Sequence, residues 1–129
     1  LKEGTNKNFL IIDAGMNDLL RPAIYDAEHE ILPVIEERNN HNQIVADIVG
    51  PICESSDVFS KNTTLPKMTS GDFLAIYSAG AYGAVMSSEY NSRPLIPELI
   101  VNENLVSVVR SRPKIEDVIK RDQIPYWLR

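Results

Sequence analysis

The sequence predicts a mainly β domain, a barrel or sandwich with short helices. Three observations carry this. Six or seven short apolar runs are separated by glycine, proline and polar turn signals. Helical spacing is confined to brief stretches. Strand patterns do not alternate with long helical ones, which argues against a doubly wound parallel sheet. The 129 residues fit one domain, and 43% hydrophobic with 24% charged residues is globular composition with enough apolar content for one core.

Each element follows from its own residues. Residues 9–13 are a short apolar run stopped by Ala14 and Gly15, and read as a buried strand. Asp18 is placed to cap a helical turn through Leu19 and Leu20, with Pro22 accommodated in the first turn. Residues 30–36 are a second strand, and Pro33, lacking an N–H, places it at an edge or a bulge. Residues 36–42 are a polar turn. Residues 43–49 form the next strand, closed by Gly50 and Pro51. Residues 57–68 lack a period and read as a loop with one short strand. Ser70, Gly71 and Asp72 turn the chain into a strand at 73–77. Residues 98–101 and 105–109 form a hairpin around a three-residue loop, 102–104. Between residues 114 and 122, Ile115, Val118 and Ile119 fall at helical spacing, and Pro113 suits a helix start.

Charge excludes several functions. Lys and Arg number 13 against 18 Asp and Glu, a net charge of -5, and the arginines are scattered. A nucleic-acid footprint needs a basic stripe, and anionic lipid needs the opposite sign, so neither partner is expected. No apolar run approaches the roughly 20 residues of a membrane helix. Cys53 is the only cysteine, so no disulfide can form within the chain, which fits a cytoplasmic protein. Leu1 is not an initiator, and the chain is expected to be the back portion of something longer.

Three segments are richer in reactive residues than a bland β domain requires. In 13–27, Arg21 and Tyr25 lie four apart and share a face of a helical turn. An arginine fork beside a tyrosine hydroxyl can clamp a carboxylate, and a surface arginine stacked on a tyrosine has the same spacing. In 50–57, a thiol, two carboxylates and two hydroxyls follow Gly50 and Pro51. Cys53 there is a proton donor, a small buried cysteine, or a nucleophile that needs His29 or His41 as its base. Two histidines and one cysteine at these spacings make no metal site. In 78–94, Gly80 and Gly83 bracket Ala81 and Tyr82, letting the backbone approach a ligand or simply forming a turn with an aromatic plug. No glycine-rich nucleotide loop follows a strand.

Taken in order, DAGMNDLLRPAIYDA (13–27), VGPICESSD (49–57), LP and GD within 65–72, and AGAYG, MSS and YNSRP within 79–94 resemble the C-terminal domain of the diaminopimelate decarboxylases. The resemblance covers most of the chain. It implies a β domain of the alanine-racemase C-terminal type over residues 1–129, which in the family follows a (β/α)8 barrel that carries pyridoxal 5'-phosphate. The barrel, with its cofactor-anchoring lysine and phosphate loop, is expected to be absent from this chain, whose lysines stand at 2, 7, 61, 67, 114 and 120.

Carried over by resemblance, Arg21 and Tyr25 bind the distal carboxylate of meso-diaminopimelate, Glu54 pairs with its distal ammonium, and Tyr82 contacts cofactor and substrate. Cys53 protonates the carbon that loses carbon dioxide, across the interface of a homodimer. An amino-acid end needs one cation and one anion for recognition, and Arg21 with Glu54 supply them. The family usually has Gly where Ser56 stands, and a positive φ there would cost a serine energy. Ornithine and arginine decarboxylases are the neighbouring alternative, and a non-catalytic β assembly module is the alternative of another class. The 129 residues alone are expected to be inactive, with a bare apolar face.

Overall fold

The computed structural model describes residues 1–35 and 42–128. They are mainly sheet with a few short helices. The polar turn expected over 36–42 lies outside the described residues except for Asn42. The chain divides into two compact units, Leu1–Ser87 and Ser88–Arg129.

The first unit holds β1 (Phe9–Ile11), α1 (Arg21–Tyr25), β2 (Ile31–Pro33), β3 (Gln43–Val49), β4 (Val58–Pro66), β5 (Leu74–Ile76) and α2 (Gly83–Met86). β1, β3 and β4 make a three-stranded sheet with β3 in the middle. β1 runs parallel to β3, with Phe9 opposite Asp47 and Ile11 opposite Val49. β4 runs antiparallel to β3, from Gln43 opposite Pro66 to Val49 opposite Val58. β2 and β5 form a separate antiparallel pair, Ile31 opposite Ile76 and Pro33 opposite Leu74. The Val34 N–H donates to Phe73 O and the Tyr77 N–H to Glu30 O, so the alternation puts Pro33 where an N–H would face away from the partner strand.

Leu10, Leu19, Ile31, Ala46, Ile48, Phe59, Leu65 and Met68 form the core of this unit. Full burial of one such side chain is worth about 1.5–3 kcal/mol, so the cluster is the main favourable term for this unit. In β3, Ala46, Asp47 and Ile48 are all buried, which strict alternation forbids. Register shifts on both sides of Ile48 explain it. Asp47 accepts hydrogen bonds from Lys7 Nζ at 2.6 Å and from the Asn62 backbone N–H at 2.8 Å. Burial pushes its carboxyl up, but the Lys7 ammonium and the Asn62 N–H outweigh this and hold it below the usual range.

The same contact explains a correction. Residues 57–68 are not a loop with one short strand, because β4 spans nine residues. Its period is broken at Asn62, which sits at φ 51 to aim its N–H at Asp47, and a left-handed residue interrupts alternation. β2 is shorter than the expected 30–36, and the strands form three separate sheets, with no closed ring among the described residues.

The second unit holds β6 (Glu98–Asn102), β7 (Leu105–Arg110) and α3 (Ile115–Ile119). β6 and β7 pair as a hairpin, and Asn102 pairs with Leu105. The loop is therefore Glu103 and Asn104, one residue shorter than expected, with Glu103 at φ 52. Glu98 and Arg110 form an ion pair at the open end. α3 keeps the expected apolar spacing over a shorter span. No described residue of this unit is buried.

Candidate functional site

The site starts at the turn before α1. The backbone N–H groups of Asp18 and Leu19 both donate to Gly15 O, at 2.8 and 3.2 Å, closing a tight turn. Asp18 was expected to cap the helix, yet its buried carboxylate accepts from the Gly15 N–H at 2.9 Å and from Asn17 Nδ2 at 3.0 Å. The N-cap of α1 is Leu20, which has no side-chain cap. Pro22 falls in the first turn as expected, where a missing N–H costs nothing.

α1 is short, and it carries Arg21 and Tyr25 at its two ends. The Arg21 guanidinium carbon lies 5.7 Å from the Tyr25 ring centroid and 5.5 Å from that of Tyr82. Both distances are within cation–π range. Three of the residues singled out in the sequence therefore meet, although Tyr82 is remote from α1 along the chain. Tyr82 sits at φ 63, a left-handed conformation uncommon for a bulky residue. The glycines beside it take no such conformation. A Cβ on Gly80 would meet nothing within 4 Å, and one on Gly83 would meet Leu19 Cδ1 at 3.8 Å, an ordinary contact. Both tyrosine rings are more than half exposed.

Cys53 and Glu54 lie in the exposed turn between β3 and β4. Glu54 Oε1 accepts from the Ser55 N–H at 3.1 Å. Ser56 is absent from the positive-φ residues, so serine is unstrained where the family usually has glycine. The turn is anchored by Asp57, one of the two carboxylates that follow Gly50. Asp57 is buried and accepts from the Met16 N–H and the Ile52 N–H, each at 2.7 Å. Its spacing after Gly50 was visible in sequence, but its partner Met16 was not. An open groove of about 470 Å³ beside α1, lined by Ala23, His29, Ser56 and Phe59 among others, takes no wall from the five candidate residues.

Among the described residues no three His, Cys, Asp or Glu side chains gather as a metal site. No helix among them is long and apolar enough to cross a membrane. All six lysines are exposed, and Lys7, Lys67 and Lys120 pair with Asp47, Glu3 and Asp117.

Residues 1–80 match the family model described as pyridoxal-dependent decarboxylase, C-terminal sheet domain. The chain belongs to this family. The pyridoxal-dependent decarboxylase domain is similar to the diaminopimelate decarboxylase of Zymomonas mobilis, with 45% identity over 128 residues, 99% of this chain and 30% of that protein. It also superposes on the crystal structure of diaminopimelate decarboxylase from M. jannaschii in complex with L-lysine, with a TM-score of 0.91 and 39% identity over 98% of this chain and 29% of that one. The Helicobacter pylori diaminopimelate decarboxylase complexed with L-lysine matches with a TM-score of 0.84 and 45% identity over 94% of this chain and 29% of that one. The decarboxylase domain thus spans about 30% of the length of these relatives.

Proposed function

We propose that this chain is the part of a pyridoxal-phosphate-dependent diaminopimelate decarboxylase that recognises the far end of the substrate and supplies the final proton. The whole protein then converts meso-diaminopimelate to L-lysine and carbon dioxide, as a cytoplasmic homodimer with its active site shared across the interface. The same reading assigns residues 1–129 to one C-terminal domain and its sheets to a barrel or sandwich of the alanine-racemase C-terminal type. The observation that carries it is the Arg21 guanidinium set beside the rings of Tyr25 and Tyr82, with no carboxylate paired to it among the described residues. A cation oriented by aromatic faces keeps its N–H fork available for an incoming carboxylate.

Among these residues the exposed Tyr82 ring can flank the cofactor. The cofactor, when bound, supplies the electron sink for decarboxylation. Arg21 binds the distal carboxylate through two parallel N–H···O bonds, and the Tyr25 hydroxyl completes the clamp. Glu54 pairs with the distal ammonium. The Cys53 S–H gives its proton to the carbon that has lost carbon dioxide, and the thiolate regains one from water.

The test uses the full-length protein. Carbon dioxide release is measured from diaminopimelate, ornithine and arginine, with diaminopimelate expected to be preferred. Cys53→Ala should retain the cofactor and lose most turnover. Preference for ornithine would remove the substrate assignment, and unchanged kcat in Cys53→Ala would remove the proton-donor role.

A further inference from the structure

We infer that Asp57 is a positioning residue that holds the Cys53 turn in register with the segment leading to Arg21. The inference rests on the roles just proposed for Cys53 and Arg21.

Asp57 is 3% exposed. Its two carboxylate oxygens accept one backbone N–H each, Oδ1 from Met16 and Oδ2 from Ile52. Ile52 immediately precedes Cys53. Met16 lies within the turn that Asp18 closes and that leads into α1. One carboxylate therefore ties the thiol's turn to the arginine's segment. The backbone of Asp57 closes the turn as well, since its N–H donates to Glu54 O at 3.1 Å and its carbonyl accepts from the Gly50 N–H at 3.0 Å.

The fit leaves no slack. A Cβ added to Gly50 would lie 2.3 Å from Asp57 Oδ2 and 2.7 Å from Ala14 O. A Cβ added to Gly15 would lie 2.8 Å from Ile52 Cγ1. The two glycines lie where the segments touch, and a side chain at either would push the segments apart. No cation pairs with Asp57 among the described residues, and the charge is compensated by oriented backbone dipoles. A buried carboxylate spent on two backbone N–H groups from different segments fixes geometry at a cost that an apolar plug would not carry. A proton donor displaced by about 1 Å loses about 10²-fold in rate, so this register bears on turnover.

The experiment is a double-mutant cycle in the full-length holoenzyme, with kcat and KM measured for wild type, Asp57→Asn, Cys53→Ala and the double variant. An asparagine oxygen replaces only one acceptor and turns an NH₂ toward the other N–H, so one segment is released. Asp57→Asn should lower kcat about tenfold or more when Cys53 is present, and less than about twofold in the Cys53→Ala background. Equal losses in both backgrounds would mean that Asp57 only supports the fold, and an unchanged kcat in Asp57→Asn would mean that it supports nothing; either overturns the proposal while Cys53 keeps its role. Unchanged kcat in Cys53→Ala itself fails the functional reading and takes this proposal with it. If Asp57→Asn does not fold, Asp57→Glu keeps both carboxylate acceptors, moves them by one methylene and goes through the same cycle, with the same coupling expected.

Discussion

The units Leu1–Ser87 and Ser88–Arg129 are built from similar apolar residues and use them in opposite ways. In the first, Ile48 is fully buried at the centre of a core that both ends of the chain segment reach. In the second, Leu99, Ile100, Val101, Leu105, Val106, Val108 and Val109 are each more than half exposed. Among the described residues the hairpin is joined by its ladder and by the Glu98–Arg110 ion pair, and these apolar side chains are not buried. Consecutive apolar residues along both strands are the pattern of strands covered on both faces. Strand pattern and burial within one unit are therefore separable, and only the first unit carries its own hydrophobic stabilisation.

The largest test of this contrast is truncation. Ile48→Ala should cost about 2–5 kcal/mol in urea unfolding of these residues, through lost transfer energy and a residual cavity. Val106→Ala should cost well under about 1 kcal/mol, since the side chain is already in water. Comparable losses would show that the hairpin is as much a core element as β3.

A smaller effect separates the units by pH. Asp47 has a folded-state pKa below its ordinary 3.8. Its contribution is fully present above 3.8 and is lost as pH falls through the lowered folded value. Unfolding midpoints measured from pH 6 to 2 should fall more steeply for wild type than for Asp47→Asn. Parallel curves would deny Asp47 this role.

The smallest expected effect is in the second unit. Glu89 is also held below its ordinary 4.5, by the hydrogen bond and charge of Arg121. Arg121 is exposed and Glu89 partly so, and salt screens such a surface pair, which adds little stability. Arg121→Ala should return the Glu89 titration, followed by NMR, toward 4.5 without moving the unfolding midpoint. A clear drop in the midpoint would give this unit an electrostatic anchor.

Strand positions were legible wherever β-branched runs met turn residues, as at Phe9, Gln43 and the β6–β7 hairpin. β4 was not, because the left-handed Asn62 and the buried Asp47 impose a break that no local pattern announces. Asp18 misled for a related reason, since its carboxylate serves the turn behind it rather than the helix ahead.

By itself the sequence determined the mainly β class, the acidic balance and, through the order of its motifs, the decarboxylase family, because these depend on residue type and local spacing. Only the tertiary structure decided that Tyr82 comes beside Arg21 and that Asp57 reaches Met16. Those contacts join residues far apart along the chain, and a hydrogen bond or a ring stack depends on distance in space, which the core and the sheet register set.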